Sequence, residues 1–184
     1  MIIGIGHRMR SGKNTLAEFI AEAIPNVVID AFAVGLKNTL LQLFPMIKPD
    51  HLFGDDRSSI IPGIKINGKE ANSREIMQYF GTEVCRSMYA DVWANQLIHR
   101  AEMQKDKIII CADVRFPNEA AAIKRHGGIL IKVERDNIAV SDHISEHLLD
   151  NYNGWDHIIQ NNSSLEHLKS EALRLAAELD LERN

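Results

Sequence analysis

The chain has 184 residues, of which 45% are hydrophobic and 25% are charged, and its formal net charge is −4. This composition supports one compact domain with a real core and excludes a disordered chain. The mildly acidic balance argues against a protein that coats nucleic acid, and no apolar run is long enough to cross a membrane.

The two cysteines, Cys85 and Cys111, stand outside any metal-ligand spacing, so we expect no zinc site. Isolated cysteines of this kind fit a reducing cytoplasm. The apolar stretch from Met1 to Ile5 precedes the first basic residues instead of following them, which is not the layout of a signal peptide. We therefore expect a cytoplasmic protein.

Short apolar runs alternate with longer amphipathic segments, which is the pattern of βαβ units. The pattern predicts an α/β fold, a three-layer sandwich whose central parallel sheet of about five strands is flanked by helices. In the first half of the chain we predict strands at 2–5 and 27–29 and helices at 13–24 and 33–44, the first of which Pro25 ends. A helix capped by Asn72 or Ser73 and running through Phe80 follows, and then a helix at 91–104 and a strand at 107–111. The rest of the chain is predicted to form a helix that begins at Pro117 and closes at Gly127 and Gly128, strands at 129–133 and 157–159, and a terminal helix that Ser163 and Glu166 open as a capping box.

Two stretches interrupt this alternation. Residues 45–70 hold three of the five prolines, which predicts an irregular excursion, and the Asn-Gly step within 64–69 could turn a hairpin. Residues 135–156 are polar and rich in His and Asp. We expect them to form a loop or lid with a short helical piece.

The segment from Gly6 to Thr15 joins the first strand to the first helix and contains Ser-Gly-Lys-x-Thr. Small residues let the backbone curl so that its N–H groups point at phosphate oxygens, and the helix adds the positive end of its dipole. The sequence departs from GxxxxGK[ST] by one extra residue before Gly12 and by Asn14 before the hydroxyl residue. A GKxT ending is common in nucleoside monophosphate kinases. The predicted phosphate-binding residues are Arg10, Ser11, Gly12, Lys13, Asn14 and Thr15, with Thr15 also near a magnesium ion.

Asp113 and Arg115 come directly after the buried strand 107–111, at the end of a parallel strand where ligands bind. Asp113 could hold magnesium through water, and Arg115 could clamp a phosphate with two parallel hydrogen bonds. The alternative is a surface pair or a helix cap. Arg135, at the start of the polar stretch, is a candidate catalytic cation of the lid, and its alternative is an ordinary solvated arginine.

Several blocks in this order resemble the phage-type deoxynucleoside monophosphate kinases, a branch of the P-loop nucleoside monophosphate kinase superfamily. The blocks are Arg10–Thr15, Ala33–Lys37, Met77–Glu83 followed by Trp93, Asp113–Glu119, His143–Glu146 and Asn161–Glu166.

The resemblance implies a P-loop kinase that takes ATP and Mg²⁺ and phosphorylates a deoxynucleoside monophosphate. It implies a single domain over 1–184, with an acceptor-binding excursion at about 45–105 and a lid at about 135–156. It further implies that His143 and Glu146 order the lid. The partners it implies are small nucleotides, not nucleic acid or membrane, in the cytoplasm of a host cell if the gene is phage-borne; a homodimer is left open. The implied acceptor-side residues are Ala33, Lys37, Arg57, Arg74, Gly81, Thr82, Trp93, Arg115 and Glu119.

Alternatives stay open at this point. Trp93 stands at helical spacing from Leu97, which is also typical of a core residue, and His143, His147 and His157 lack the carboxylate partners of a metal site. Asn14 replaces the aspartate usual in the family, which leaves room for a nucleotide-binding regulator without turnover. A kinase for another small phosphorylated acceptor, of the phosphomevalonate or dephospho-coenzyme A type, is the other alternative.

Overall fold

The computed structural model describes residues 1–54, 58–138 and 144–181. The strands are β1 (Ile2–Gly6), β2 (Val27–Asp30), β3 (Ile60–Ile66), β4 (Lys69–Asn72), β5 (Ile108–Val114), β6 (Ile129–Glu134) and β7 (His157–Gln160). The helices are α1 (Lys13–Ala23), α2 (Phe32–Leu43), α3 (Pro49–Phe53), α4 (Ser73–Gln78), α5 (Val92–Glu102), α6 (Pro117–Arg125) and α7 (Leu165–Leu181).

The chain forms two compact units, one of Met1–Phe32 with Leu97–Asn184 and the other of Ala33–Gln96. The first unit contains a five-stranded sheet in the order β2-β5-β1-β6-β7, with every neighbouring pair parallel. This confirms the predicted α/β fold with its central parallel sheet flanked by helices. The division into a kinase domain with an excursion at 45–105 and a lid at 135–156 stays a prediction.

Alternate residues of the strands serve the two faces of this sheet, because side chains of a strand point to opposite sides in turn. Ile3 and Ile5 of β1 join Ile110 of β5 in a core that includes residues of α1 and α7. On the other face Gly4 lies against Ile123 of α6, so closely that an added Cβ would come within 2.5 Å of its Cδ1 atom. The helices therefore cover the sheet from both sides.

The connections on either side of β1 locate the ligand-binding edge of the sheet. The chain leaves β1 through α1 to reach β2 at one edge, and it leaves the adjacent β5 through α6 to reach β6 on the other side of β1. Parallel strands whose connections diverge in this way leave a crevice outside their carboxyl ends, where ligands of open α/β sheets bind. The segments after Gly6 and Val114 are therefore where a functional site is expected.

The second unit contains the hairpin of β3 and β4. Ile66 pairs with Lys69, and Asn67 and Gly68 between them have φ of 52° and 81°, as a type I′ turn requires. The hairpin prediction is confirmed, whereas the irregular structure predicted for the rest of the excursion is wrong where α3 and the first part of β3 lie. The region contains α3, whose first residue is Pro49, and β3 in a two-stranded sheet, in which every strand is an edge strand and can hold a proline.

Three element ends differ from the predictions or refine them. Asn72 caps α4, since its Oδ1 accepts from the N–H of Glu75 at 3.0 Å, but the chain then continues as a π-helix over Tyr79–Arg86 instead of ending at Phe80. Ser164, not Ser163, caps α7, because its Oγ accepts from the N–H of His167 at 3.3 Å. The short helical piece expected within 135–156 is a 3₁₀ turn at Ile144–Glu146. Among the helices described here, none is long and apolar enough to cross a membrane.

Candidate functional site

The loop that follows β1, residues 7–12, is called the β1–α1 loop below. Three of its residues have positive φ: His7 at 93°, Arg10 at 64° and Gly12 at 104°. Non-glycine residues rarely adopt this conformation, and such strain persists only where the surroundings hold it, often at ligand-binding sites. Gly12 is the N-cap of α1 and, as a glycine, has no side chain that could accept from the first N–H groups of the helix. The first turn of a helix is a favourable place for an anion.

Ser11 lies in this loop, fully buried, and its Oγ has no hydrogen-bond partner within the described parts of the chain. Its carbonyl oxygen accepts a hydrogen bond from the side-chain amide of Asn161 at 2.8 Å. Buried polar groups are normally paired, so the unpaired hydroxyl marks a place where a polar ligand would be favoured. Asn161, the residue after β7, therefore holds the main chain of the loop at Ser11, while the Ser11 hydroxyl can still donate to a ligand.

Lys13 is the first residue of α1 and is only 7% exposed. Its Nζ donates to the main-chain carbonyl of Arg8 within the loop. Burial, and next the nearby Arg115 guanidinium, lower the pKa of Lys13 to about 8, while Glu146 and Asp113 act in the opposite sense. A desolvated cation held by a neutral carbonyl is poised to bind an anion more strongly than a solvated lysine would.

Asp113 stands near the end of β5. Its Oδ1 accepts from the main-chain N–H of Phe32 at 2.9 Å and from the thiol of the buried Cys111 at 3.0 Å. Burial, and next the charge of Asp113, raise the pKa of that thiol well above its usual value. The Asp113 carboxylate is thus oriented by its neighbours.

Arg115 and Glu119 lie on either side of the start of α6. One carboxylate oxygen of Glu119, Oε2, accepts from the main-chain N–H of Arg115 at 2.8 Å and of Phe116 at 3.0 Å. Glu119 is 2% exposed, so it caps α6 from inside the unit. The structure shows this capping contact for Glu119, and an acceptor-binding role for it stays a prediction.

A second set of contacts comes from the 3₁₀ turn and the residues after it. Glu146 accepts from the N–H of Met9 at 2.7 Å and pairs with the Arg115 guanidinium. Asp150 pairs with Arg8 at 3.1 Å and lies 3.5 Å from Nε2 of His7. Sequence reasoning singled out Glu146 only through the family block His143–Glu146 and missed Asp150. His143 lies outside the described residues.

A polar cavity of about 280 Å³ opens beside the β1–α1 loop. Burial, and next the cations Lys132 and Arg8, lower the pKa of His7, whose Nδ1 is buried without a partner among the described residues. Arg135, predicted as a lid cation, is exposed at the rim of this cavity. The residues that line the cavity are His7, Arg8, Lys132, Glu134, Arg135, Asp136 and Asp150.

The other predicted residues are distributed as follows. Thr15 is half-buried in the first turn of α1, whereas Arg10 and Asn14 are exposed. In the second unit Trp93 is 5% exposed and donates from Nε1 to the carbonyl oxygen of Gly81 at 3.1 Å, which brings two predicted acceptor residues together. Lys37 lies over the ring of Phe53, with Nζ 4.5 Å from its centre. Ala33 and Thr82 are half-buried, Arg74 is exposed, and Arg57 lies outside the described residues.

The oxygens of Thr15 and Asp113 are the donors that a magnesium ion prefers. Mg²⁺ keeps several waters and is bound through one or two carboxylates together with substrate phosphates, so a dedicated cluster of protein ligands is not required. Within residues 1–54, 58–138 and 144–181 no group of three or more His, Cys, Asp or Glu side chains is arranged to hold a metal. The donor set therefore fits magnesium carried with a nucleotide.

The first strand of the parallel sheet is followed by a strained loop that ends in glycine, and then by a buried lysine. This arrangement is typical of α/β proteins that bind phosphate groups. The profile of the deoxynucleotide monophosphate kinase family matches residues 55–172, which is more than half of the sequence. The chain belongs to this family. It is therefore a kinase, a phosphotransferase that acts on a nucleotide-type substrate.

Two comparisons accompany the family match. A protein of Acanthamoeba polyphaga mimivirus, named "Putative deoxynucleotide monophosphate kinase", is 28% identical over 186 residues, which cover 94% of each chain. The solved structure of the Deinococcus radiodurans tunicamycin resistance protein matches with a TM-score of 0.50 and 11% identity, over 95% of this chain and 94% of that one. The second comparison bears on the fold alone.

Proposed function

We propose that the protein transfers the γ-phosphoryl group of ATP to the phosphate of a deoxynucleoside monophosphate, giving ADP and a deoxynucleoside diphosphate. The bond from the γ-phosphorus to the bridging oxygen breaks, and a bond from the same phosphorus to an oxygen of the acceptor phosphate forms. This reaction needs alignment, charge neutralisation and exclusion of water more than covalent help from side chains.

The observation that carries the proposal is the environment of Lys13. A buried ammonium group on the first residue of a helix, beside a loop in which the Ser11 hydroxyl has no partner among the described residues, favours a polyanion such as the β- and γ-phosphates of ATP. The donor-side residues in this proposal are Arg10, Ser11, Gly12, Lys13, Asn14 and Thr15. Thr15 and Asp113 would hold Mg²⁺, which supplies positive charge to the phosphates when bound.

Arg115 and Arg135 are the proposed cations for the charge that develops on the transferred group. The guanidinium of Arg115 is supported there by its pairing with Glu146 and by its location after β5, on the crevice side of the sheet. Arg135 lies at the rim of the cavity beside the β1–α1 loop. The exposed Arg135 can move toward a bound phosphate at little cost.

On the acceptor side, Lys37 and Arg74 are proposed to hold the monophosphate. Trp93 is proposed to form a wall against the base instead of a stacking platform, because it is buried and its N–H is already used by Gly81. The family membership supports a deoxynucleotide acceptor over phosphomevalonate or dephospho-coenzyme A. The full acceptor set is Ala33, Lys37, Arg57, Arg74, Gly81, Thr82, Trp93, Arg115 and Glu119. The reaction would take place in the cytoplasm, that of a host cell if the gene is viral.

A coupled ADP-release assay with ATP and Mg²⁺ tests the proposal. The acceptors would be the deoxy- and ribonucleoside monophosphates, with phosphomevalonate and dephospho-coenzyme A beside them. The expected result is turnover on at least one deoxynucleoside monophosphate, and Lys13→Ala should abolish it while the fold is retained. ATP binding in a thermal-shift assay without turnover on any acceptor would instead favour a nucleotide-binding regulator. Turnover on one of the other two acceptors alone would replace the proposed substrate class.

A further inference from the structure

Glu146 is a buried carboxylate whose partners belong to the candidate site. It is 6% exposed and stands on the 3₁₀ turn Ile144–Glu146. One of its oxygens, Oε2, accepts from the main-chain N–H of Met9 at 2.7 Å, and the other pairs with the Arg115 guanidinium. The carboxylate thus joins the β1–α1 loop to the segment after β5.

The two partners of Glu146 are the kinds of group that bind phosphate in proteins, a loop N–H and a guanidinium. Both depend on orientation: an arginine side chain is flexible, and a loop N–H points wherever the strained backbone directs it. A buried carboxylate is retained only where it is well paired, so its contacts here fix both partners. Lys13 is close enough to both residues for their charges to act on it: the positive charge of Arg115 lowers the pKa of Lys13, and the negative charge of Glu146 raises it.

We propose that Glu146 is a positioning residue that fixes the Arg115 guanidinium and the Met9 N–H in one arrangement, so that both are oriented before phosphate binds. The proposal rests on the phosphate-binding role of Arg115 proposed above. It also assigns a second task to the carboxylate: it offsets the repulsion between Lys13 and Arg115, which allows two cations to share one edge of the sheet.

Asp150 provides a matched comparison on the same segment. Its carboxylate also reaches the β1–α1 loop, pairing with Arg8 and lying near His7, whereas in the part of the chain that the structure describes Arg115 pairs with Glu146. If the segment merely holds the loop in place, removing either carboxylate should have the same kind of effect. If Glu146 acts through Arg115, only its removal should depend on whether Arg115 is present.

A double-mutant cycle separates these cases, because a residue that acts through another has no effect once that other is gone. Glu146→Gln keeps an oxygen for Met9 but loses the charge that faces Arg115. It would be made in the native chain and in Arg115→Ala, with Glu146→Asp as the conservative variant and Asp150→Asn as the control. The measured quantities are kcat and KM for ATP and the deoxynucleotide, the midpoint of thermal unfolding, and the Kd for inorganic tripolyphosphate by calorimetry.

With Arg115 present, Glu146→Gln is expected to lower kcat at least tenfold and to raise the tripolyphosphate Kd at least threefold. Glu146→Asp should lose less. In Arg115→Ala, Glu146→Gln should change either quantity less than twofold, whereas any loss caused by Asp150→Asn should be the same in both backgrounds. If Glu146→Gln does not fold, Glu146→Asp decides by the same comparison.

Equal losses in the two backgrounds, or no loss with Arg115 present, would overturn the positioning role. Tighter tripolyphosphate binding by Glu146→Gln would also overturn it, since the carboxylate would then compete with phosphate for Met9 and Arg115. If the native chain turns over none of the nucleotides, the proposed function fails. The tripolyphosphate measurements then still decide whether Glu146 acts through Arg115.

Discussion

The side-chain amide of Asn161 donates to the main-chain carbonyl of Ser11 at 2.8 Å, across a separation of 150 residues in the sequence. Because Asn161 follows β7 directly, this contact joins the β1–α1 loop to the end of the outer strand of the sheet. The same amide lies against the next residue, Gly12, where a Cβ atom would overlap its nitrogen. The loop is therefore closed around a position that only glycine fills without strain.

Gly12→Ala should destabilise the chain and weaken nucleotide binding, because the new methyl group meets Asn161 and the φ of 104° is unfavourable for alanine. Gly127→Ala is the matched control: its φ is 67°, but no atom of the described residues lies within 4 Å of the added carbon. Urea unfolding should show a loss of about 1 kcal/mol for Gly127→Ala and a clearly larger one for Gly12→Ala. Equal losses would mean that the contact with Asn161 relaxes freely.

Activity should fall as the pH rises through about 8, because the pKa of Lys13 is lowered to about 8 and the neutral amine no longer attracts phosphate. Stability should change in the opposite direction. Between about pH 8 and 10.5 the unfolded chain binds more protons at this lysine than the folded chain, so the free energy of unfolding rises with pH.

A profile of kcat/KM from about pH 6.5 to 9.5 checks the first trend. The second is measured as the difference in unfolding free energy between the native chain and Lys13→Met at each pH. Below about pH 8 the folded chain bears the full cost of burying the charged lysine. The unfolding free energy of the native chain should therefore rise relative to that of the variant only above that pH. A difference that does not vary with pH would show that Lys13 is not desolvated.

Arg115→Ala should lower kcat/KM by well over tenfold, or more than about 1.4 kcal/mol of transition-state stabilisation. Arg174→Ala is the control, since Arg174 on α7 is exposed and pairs with Glu171 and Glu178 of the same helix. Steady-state kinetics with ATP and the preferred nucleotide measure both variants. A loss below tenfold for Arg115→Ala would leave Arg115 with a structural role alone.

Trp93 fluorescence should change when a deoxynucleotide binds, because its buried indole belongs to the unit that contains most of the proposed acceptor residues. The other tryptophan, Trp155, packs against Tyr152 and Gly6, so Trp155→Phe isolates the signal of Trp93. Titration of this variant with the preferred nucleotide measures the response. Unchanged fluorescence at saturating nucleotide would show that Trp93 is a core residue only.

Asn14→Asp should preserve or raise activity, as expected if the aspartate usual in the family works equally well here. Asn14 is exposed in the first turn of α1, which has no acidic residue, so an aspartate there should also stabilise the helix by about 0.3–1 kcal/mol. Asn14→Ser serves as the neutral control in the same kinetic and unfolding assays. A tenfold loss confined to Asn14→Asp would show that the added charge repels the phosphates.

The parts of the fold that follow from local chemistry could be predicted from the sequence. The apolar run of β5, the proline at the start of α6 and the Asn-Gly turn of the hairpin each carry their own signal. The π-helix after α4 carries none, since no residue pattern in Tyr79–Arg86 distinguishes the wider hydrogen-bond spacing of a π-helix from that of an α-helix. The capping contact of Glu119 carries no clear signal either, because the N-cap residue Phe116 has no side-chain acceptor and so does not form the usual pattern of a capping box.

The candidate site was predictable in its residues but less so in its contacts. The Ser-Gly-Lys pattern after the first strand was enough to predict Lys13. Glu146 and Asp150, in contrast, lie 137 and 142 residues along the sequence from their respective partners Met9 and Arg8. No periodicity links residues at such distances, and an acidic residue in a polar stretch is usually solvated. Only the topology of the sheet brings these segments together.

The order of the strands has a consequence for how the chain is made. Ile2 of β1 pairs with Ile109 of β5, and among the strands that the structure describes β2 pairs with β5 alone. During synthesis the apolar strands β1 and β2 therefore stay unpaired until residues 108–114, which form β5, have left the ribosome. Such non-local pairing folds slowly and exposes strand edges to aggregation, so we expect the nascent first half to depend on chaperones or on the speed of translation.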